Sequence, residues 1–267
     1  MGILNVTPDS FSDGNTYFQL DQAISRGLQI ASEGADILDI GGESSRPGAL
    51  PVSEQEEIRR VIPVIRALRN QIQIPISIDT VKPAVAIEAI NAGAALINDI
   101  SGFNHPRMRD IAASADIDIC VMHMQGTPQT MQINPSYSEN IITSLLKWFD
   151  ERIELLLKAG IKKERIIIDP GIGFGKTVAD NLKIIHNLPQ FKALGFRVLL
   201  GASRKSFMTV ITGKSAKDLL HATLAMNTLA IENQIDIIRV HDVKEHRDAV
   251  NVIDRMYQES EKYSSLL

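Results

Sequence analysis

Three side chains that carry acceptor oxygens follow short apolar runs in the chain. Asp79 follows ISI, Asn98 follows ALI, and Asp169 follows RIII. A carboxylate accepts two parallel N–H bonds, so such a set suits a flat heterocycle rich in N–H donors. A metal site is the alternative, but hard cations prefer clustered carboxylates and one member of this set is an amide. The residues therefore favour a donor-rich heterocycle as the ligand.

A second group of residues fits an anion. Lys205 lies in the segment SRKS before a helical pattern, and Arg239 and His241 alternate along an apolar run, so both are expected on one face. Arg46, in the loop segment GGESSRPG, either pairs with a phosphate or is solvated. A lone histidine at a strand end is more often structural than catalytic. An arginine two residues before it, beside a lysine-bearing loop, favours anion binding.

The glycine-rich segment DPGIGFGKT, residues 169–177, invites comparison with nucleotide sites. A P-loop has the spacing G-x-x-x-x-G-K, and Gly171 and Gly175 are one residue too close for it. The dinucleotide pattern fails because Lys176 occupies its last glycine position. What remains is a tight turn that lets backbone approach a ligand and presents Phe174 as a wall. A purely structural turn is the alternative.

Composition and charge argue against several classes of function. The net charge is −4, with 28 Lys plus Arg against 32 Asp plus Glu in mixed order, so no basic face for nucleic acid is expected. We expect no signal peptide and no membrane span, which would need roughly 20 apolar residues in a row. The single cysteine, Cys120, cannot form an internal disulfide, which fits a reducing compartment. These features predict a cytoplasmic protein.

Eight short apolar runs alternate with helical patterns along the chain. The runs are residues 2–6, 35–41, 74–80, 94–101, 117–123, 165–171, 197–203 and 235–241. The apolar spacing predicts helices over residues 53–69, 140–158, 216–233 and 243–259, the first of which begins with a Ser53–Glu56 capping box. Eight βα units without a linker favour a single-domain α/β fold, a (β/α)8 TIM barrel over residues 1–267.

The ends of these runs would position the chemistry. Polar residues finish or follow each run, namely Asn5, Glu43, Asp79, Asn98, Asp99, His123, Asp169, Ser203, Arg239 and His241. Active sites of such barrels lie at the C-terminal ends of the strands, so we expect these side chains to converge at one mouth. The alternative for any one of them is that chains turn polar on leaving the core. For the whole set, the cost of burying unpaired polar groups favours a polar ligand.

Together these motifs resemble those of the dihydropteroate synthase family. They occur in family order over nearly the whole chain, as MGILNVTPDSFSDG (1–14), GGESSRPG (41–48), SIDT (77–80), INDI (97–100), VMHM (121–124), DPGIGFGK (169–176), GASRKSF (201–207) and RVHDV (239–243). The resemblance implies a (β/α)8 barrel. It also implies a reaction that joins 6-hydroxymethyl-7,8-dihydropterin diphosphate to p-aminobenzoate, giving 7,8-dihydropteroate and diphosphate with Mg²⁺ present.

The resemblance further implies a role for each matching residue. The pterin-binding set would be Asp79, Asn98, Met122, Asp169, Phe174, Lys205 and Arg239. The diphosphate set would be Asn5, Arg239 and His241, with Asn5 associated with Mg²⁺. The p-aminobenzoate set would be Phe11, Asp13, Ser45, Arg46, Pro47 and Ser203. The residues expected to be catalytic are Asp79, Asp169, Lys205, Arg239 and His241.

The chemistry of that reaction suggests that diphosphate leaves before the amine attacks. The leaving group lies on a carbon attached to an electron-rich dihydropterin, so Asp79 and Asp169 would stabilise the resulting cation. An aromatic amine is neutral near physiological pH and needs no strong base. Two alternatives stay open, namely a pterin-binding methyltransferase that serves a corrinoid and a non-catalytic pterin-binding barrel. The resemblance also implies a homodimer.

Overall fold

Eight parallel strands form the centre of the computed structural model, which describes residues 1–7 and 16–264 of the chain. Each strand pairs with the next in sequence order. The strands are β1 (Gly2–Asn5), β2 (Leu38–Gly41), β3 (Ile76–Asp79), β4 (Leu96–Asp99), β5 (Asp118–Met122), β6 (Ile166–Asp169), β7 (Arg197–Leu200) and β8 (Ile237–Ile238). Every strand lies within one of the eight apolar runs, which extend past it into the loops.

The sheet closes on itself between its two ends. Ile3 donates its backbone N–H to the carbonyl of Val240 at 3.0 Å, and Val240 donates to the carbonyl of Met1 at 2.9 Å. Gly2 and Val240 form an isolated parallel bridge. A closed ring of eight parallel strands with intervening helices is a (β/α)8 barrel, so the predicted fold is confirmed.

Helices follow the strands around the outside. They are α1 (Thr16–Ser32), α2 (Glu54–Arg69), α3 (Pro83–Asn91), α4 (Pro106–Ser114), α5 (Ile141–Lys158), α6 (Val178–His186), α7 (Leu188–Lys192), α8 (Ser206–Thr212), α9 (Leu220–Glu232) and α10 (Val243–Ser264). The predicted helices over 53–69, 140–158 and 243–259 are confirmed to within a few residues at their ends. No helix in the described part of the chain is long and apolar enough to cross a membrane.

The prediction of one continuous helix over 216–233 is wrong. A 3-10 turn, Ala216–Asp218, comes first, and the α-helix begins only at Leu220. Ser215 donates its hydroxyl to the Asp218 carboxylate at 2.6 Å, which closes the short turn separately. A serine or aspartate side chain competes with the helix backbone in this way and favours a turn over a continuous helix.

The barrel interior is layered, with an apolar floor beneath a mixed upper layer. Met1, Leu96, Cys120, Ile167 and Leu199 form one buried cluster. Residues two apart on a strand share a face, so four of these floor residues have an upper neighbour. The floor and upper pairs are Leu96 with Asn98, Cys120 with Met122, Ile167 with Asp169, and Leu199 with Gly201. The upper layer therefore places the polar groups of Asn98 and Asp169 above an apolar base.

Candidate functional site

A small pocket of about 20 Å³ lies above this floor, and we call it the inner pocket. It is lined by Ser45, Asp79, Asn98, Ile100, Met122, Asp169, Ile172, Phe174, Gly201, Lys205 and Arg239. All seven residues that the resemblance implied for pterin binding belong to this lining, together with Ser45. Residues from seven of the eight strands or the loops that follow them are thus brought to one place.

Arg239 forms the central contact of the inner pocket by bridging two carboxylates. Its Nε donates to Asp39 Oδ2 at 2.6 Å, and its Nη2 donates to Asp79 Oδ2 at 2.7 Å. Asn98 donates its amide to the same oxygen of Asp39 at 3.2 Å. Asp39 is fully buried on β2 and was missed by the sequence analysis. The sequence does contain a sign of its role, because Asp39 lies inside the apolar run ADILDIG. Burying a carboxylate there costs free energy unless it has a partner.

The two pocket carboxylates have unusual titration behaviour. Burial raises the pKa of Asp79 to about 7, with Arg239 opposing the shift and the charge of Asp39 adding to it. Burial also raises the pKa of Asp169, and the N–H of Gly171 opposes this shift by donating to Asp169 Oδ1 at 2.7 Å. Carboxylates held this far out of water lack bulk solvation, so a ligand that donates hydrogen bonds would stabilise their charged forms.

Lys205 covers one side of the pocket. Its ammonium nitrogen lies 4.0 Å from the centroid of the Phe174 ring, a cation–π contact. Burial lowers the pKa of Lys205 to about 8, and the positive charge of Arg239 adds to that shift. The preceding Arg204 has a left-handed φ of 57° and pairs with Asp242, with Nε at 3.1 Å from Oδ2. The two cations therefore lie in different cavities. Lys205 lines the inner pocket, and Arg204 lines the second cavity described below.

The glycine-rich turn is held from behind by a buried lysine. Lys176 Nζ lies 3.0 Å from His123 Nδ1 and donates to the carbonyl of Phe174 at 3.0 Å. Burial lowers the pKa of Lys176 to about 7, and burial together with Lys176 lowers the pKa of His123 to about 2. His123 also meets the edge of Trp148, with ring centroids 5.0 Å apart. The pair fixes the end of β5 against the turn that carries Phe174.

A second, open cavity of about 550 Å³ lies beside the first, and we call it the outer cleft. It is lined by Ile3, Leu4, Asn5, Gln22, Ser25, Arg26, Gln29, Arg204, His241 and Asp242. Ser203 Oγ lies 3.0 Å from His241 Nδ1. Burial, reinforced by the charges of Arg239 and Arg204, lowers the pKa of His241 to about 3, so the imidazole is neutral at physiological pH. The cleft is rich in hydrogen-bond donors and suits an anion.

The structure corrects the expectation that all polar strand ends converge at one mouth. Arg239 lines the inner pocket and His241 lines the outer cleft, so their side chains do not point into the same cavity. Regular β8 ends at Ile238, before either residue.

Three further strand-end groups have structural partners instead. Asp99 accepts the N–H of Ser101 at 2.7 Å and that of Phe103 at 3.1 Å, which closes the turn after β4. Glu43 pairs with Lys82, and His123 contacts Lys176. None of these three residues lines the inner pocket or the outer cleft.

The residues implied for p-aminobenzoate lie mainly on the loop between β2 and α2, residues 42–53, which we call the β2 loop. Ser45 lines the inner pocket, whereas Arg46 and Pro47 are exposed. Phe11 and Asp13 lie outside the described residues. Within residues 1–7 and 16–264, no group of three or more His, Cys, Asp or Glu side chains is placed to hold a metal ion.

Comparisons with known proteins agree on one family. A family model described as pterin binding enzyme matches residues 1–241. The chain is 45% identical over 252 residues to a dihydropteroate synthase of Haemophilus influenzae, covering 94% of this chain and 91% of that protein. Its structure is similar to the Yersinia pestis dihydropteroate synthase in a sulfonamide drug complex, with a TM-score of 0.91, 42% identity, and coverage of 97% and 94%. It is also similar to the Xanthomonas albilineans enzyme in complex with 7,8-dihydropteroate, with a TM-score of 0.87, 40% identity, and coverage of 96% and 92%.

The glycine-rich turn gives a test of how tightly the site is built. At Gly171, φ is +70° and an added Cβ would lie 2.0 Å from the carbonyl oxygen of His123, whereas Gly213 has a φ of +67° and open space around it. We expect Gly171→Ala to lower the free energy of unfolding by roughly 2 to 4 kcal/mol, and the matched Gly213→Ala by about 1 kcal/mol. Urea unfolding of both variants measures the difference. Equal losses would contradict the close packing of the turn on β5.

Proposed function

The chain belongs to the dihydropteroate synthase family of pterin-binding enzymes, and from that premise we propose that the inner pocket holds the pterin ring of its substrate. Its function is that of a transferase in folate biosynthesis which forms dihydropteroate. The observation that carries the proposal is the convergence of Asp79, Asn98 and Asp169 above an apolar floor. Their oxygens face a space where a donor-rich ring would satisfy them.

The residues that line the inner pocket could contact both the edges and the faces of a flat ring. Asp79 and Asp169 would accept the ring N–H groups, and the Asn98 amide can donate or accept. Met122 and Phe174 belong to one apolar cluster that forms a wall for the ring faces. Lys205 stands on Phe174 and would contribute a donor to an acceptor atom of the ring. This arrangement distinguishes a pterin from rings that lack donors, because buried carboxylates left unpaired are costly.

The inner pocket is narrow, at about 20 Å³, so a flat ring would contact its lining closely. Two contacts between lining residues would change when such a ring binds. They are the Arg239 bond to Asp79 and the stacking of Lys205 on Phe174. We propose that ring N–H groups replace the Arg239 guanidinium at Asp79, while Arg239 keeps its bond to Asp39. The freed side of the guanidinium can then lie against the ring.

The outer cleft is the proposed place of the diphosphate. Asn5 and His241 line it, and the neutral imidazole of His241 can donate a hydrogen bond without carrying charge. Arg239 lines the inner pocket and lies two residues before His241, which lines this cleft. The diphosphate would leave from the carbon between the two cavities. The polar cleft would stabilise the charge that develops on the leaving group.

Mg²⁺ fits this cleft as an ion carried by the diphosphate. Magnesium usually keeps several waters and binds substrate phosphates with few protein oxygens, so the amide oxygen of Asn5 would be enough from the protein side. When bound, the ion would neutralise negative charge on the leaving diphosphate. The protein residues hold the diphosphate in place beside the reacting carbon.

We propose that the diphosphate leaves before the amine of p-aminobenzoate attacks. Asp79 and Asp169 would stabilise positive charge spread into the pterin ring, since both lie in a poorly solvated pocket. Ser45, Arg46 and Pro47 on the β2 loop would receive the amine. Ser203 would act through the His241 imidazole that it contacts. Phe11 and Asp13 stay a prediction for this subsite.

We further propose that the enzyme acts as a homodimer in the cytoplasm. Apolar side chains on α9 and α10 are exposed, with 48% for Leu229, 69% for Val252 and 54% for Met256, and a second copy would cover them. The one cysteine, Cys120, is free and buried in the barrel floor, so the fold uses no internal disulfide, which supports a reducing compartment.

Diphosphate release tests the function directly. Purified enzyme with Mg²⁺ and 6-hydroxymethyl-7,8-dihydropterin diphosphate should release diphosphate much faster when p-aminobenzoate is added, because the amine traps the cation. Lys205→Ala should lower kcat/KM by roughly 100-fold because it removes a group that contacts the ring, while the exposed Lys214→Ala should match the wild type. Pterin binding without release would support the non-catalytic barrel, and methyl transfer to a corrinoid without release would support the methyltransferase.

The raised pKa of Asp79 predicts a pH dependence of pterin binding. The protonated carboxyl accepts fewer N–H bonds, so the wild-type Kd for 6-hydroxymethylpterin should rise by about tenfold per pH unit as the pH falls below about 7. This probe lacks diphosphate, whose own titration would obscure the effect. Asp79→Asn should bind more weakly and lack that transition, as measured by calorimetric titration between about pH 5 and pH 8. The same profile in both proteins would refute the assignment.

A further inference from the structure

A partly buried ion cluster lies at the base of the β2 loop. Lys82 Nζ pairs with the carboxylates of Glu43 and Glu57, and Glu57 is only 1% exposed. Burial alone would lower the pKa of Lys82, but its hydrogen bonds to the two carboxylates outweigh burial and raise it. Lys82 therefore stays charged and holds two acidic groups from different elements together, one in the loop and one on α2.

Glu43 also ties the two ends of the β2 loop together. Its Oε2, the same atom that Lys82 contacts, accepts the backbone N–H of Val52 at 3.1 Å. The carboxylate of Glu43 thus closes the segment from residue 43 to residue 52 into a loop. The base of the loop is braced further by Arg60, which donates Nη1 to the carbonyl of Gly42 at 2.8 Å.

The position of Lys82 links this loop to the inner pocket. Lys82 is the residue before α3 and lies three positions after Asp79, the last residue of β3. Its backbone N–H donates to Thr80 Oγ1 at 3.2 Å, which fixes the short connection. The tip of the β2 loop rests on the chain after β5, where the N–H of Gly48 reaches the carbonyl of Pro128 at 3.2 Å.

We propose that Lys82 is a positioning residue that sets the conformation of the β2 loop and thereby the affinity for the amine substrate. This inference rests on the proposed function, in which the loop receives p-aminobenzoate. Lys82 lines neither cavity and touches no reacting atom, so it acts through Glu43. Without its ammonium, Glu43 and Glu57 would repel each other, and the carboxylate that closes the loop would move away from the buried one.

The test separates amine binding from pterin binding and from stability. In Lys82→Met, we expect the KM for p-aminobenzoate to rise by about tenfold, with kcat at saturating amine and the Kd for 6-hydroxymethylpterin within about threefold of wild type. Lys82→Arg, which keeps the charge, should restore most of the amine affinity. Glu43→Gln keeps an acceptor for Val52 but loses the ion pair, and we expect it to raise the same KM in a chain that keeps Lys82.

A matched control removes an ion pair far from the loop. Lys192 Nζ lies 2.6 Å from Asp236 Oδ2, at the end of the barrel where β7 and β8 begin. Lys192→Met should lower the free energy of unfolding without changing the KM for p-aminobenzoate. An unchanged KM in both Lys82→Met and Glu43→Gln would overturn the proposal, and so would an equal rise in Lys192→Met or a parallel loss of pterin affinity. Absence of amine-dependent turnover in the wild type would refute the proposed function itself, and the inference with it.

Discussion

The bridge from Arg239 to Asp39 and Asp79 is the contact on which the interior of the barrel depends. The guanidinium is largely withdrawn from water, since only 18% of the Arg239 side chain is exposed, and two carboxylates at 2.6 and 2.7 Å compensate its charge. The three groups come from β2, from β3 and from just past β8, so the bridge crosses the barrel. Removing one partner of such a buried group typically costs roughly 3 to 5 kcal/mol, because the other charge stays behind. The bridge therefore stabilises the barrel, in addition to its proposed role in binding the substrate.

The layering of the barrel explains why a charged site can exist above it. The apolar floor, formed by Met1, Leu96, Cys120, Ile167 and Leu199, excludes water from below. The upper layer is then solvated only through the mouth, which raises the pKa of Asp79 and lowers that of Lys205. The same burial that makes these groups responsive to a ligand also makes them costly in its absence, so they satisfy one another until a ligand arrives.

Much of the fold and part of the site could be predicted from the sequence, and the limits have physical causes. Eight apolar runs and their helical partners predicted the barrel, and the acceptors at the ends of runs predicted that Asp79, Asn98 and Asp169 lie together, as they do in the inner pocket. Asp39 was missed because it lies inside an apolar run and its partner is 200 residues away.

The polar residues that turned out to be structural show the other limit. Glu43 and Asp99 follow or end strands, as the pocket residues do, but each has a partner within the protein. Glu43 pairs with Lys82 from the next βα unit, and Asp99 accepts the backbone N–H of Phe103 in the turn after β4. These partners depend on the folded chain, and Lys82 lies 39 residues after Glu43, so the sequence near a strand end does not reveal them. The break before α9 was missed because it depends on the hydrogen bond from the Ser215 hydroxyl to the Asp218 carboxylate, which the apolar spacing of α9 does not reveal.

The most direct measurement is a crystal structure of the enzyme with bound 6-hydroxymethylpterin. The account predicts that Arg239 Nη2 moves from 2.7 Å to beyond about 3.5 Å from Asp79 Oδ2, with ring N–H groups in its place. The contact of Arg239 with Asp39 should persist near 2.6 Å. A ring seated elsewhere in the barrel mouth, with both contacts of Arg239 intact, would contradict the account.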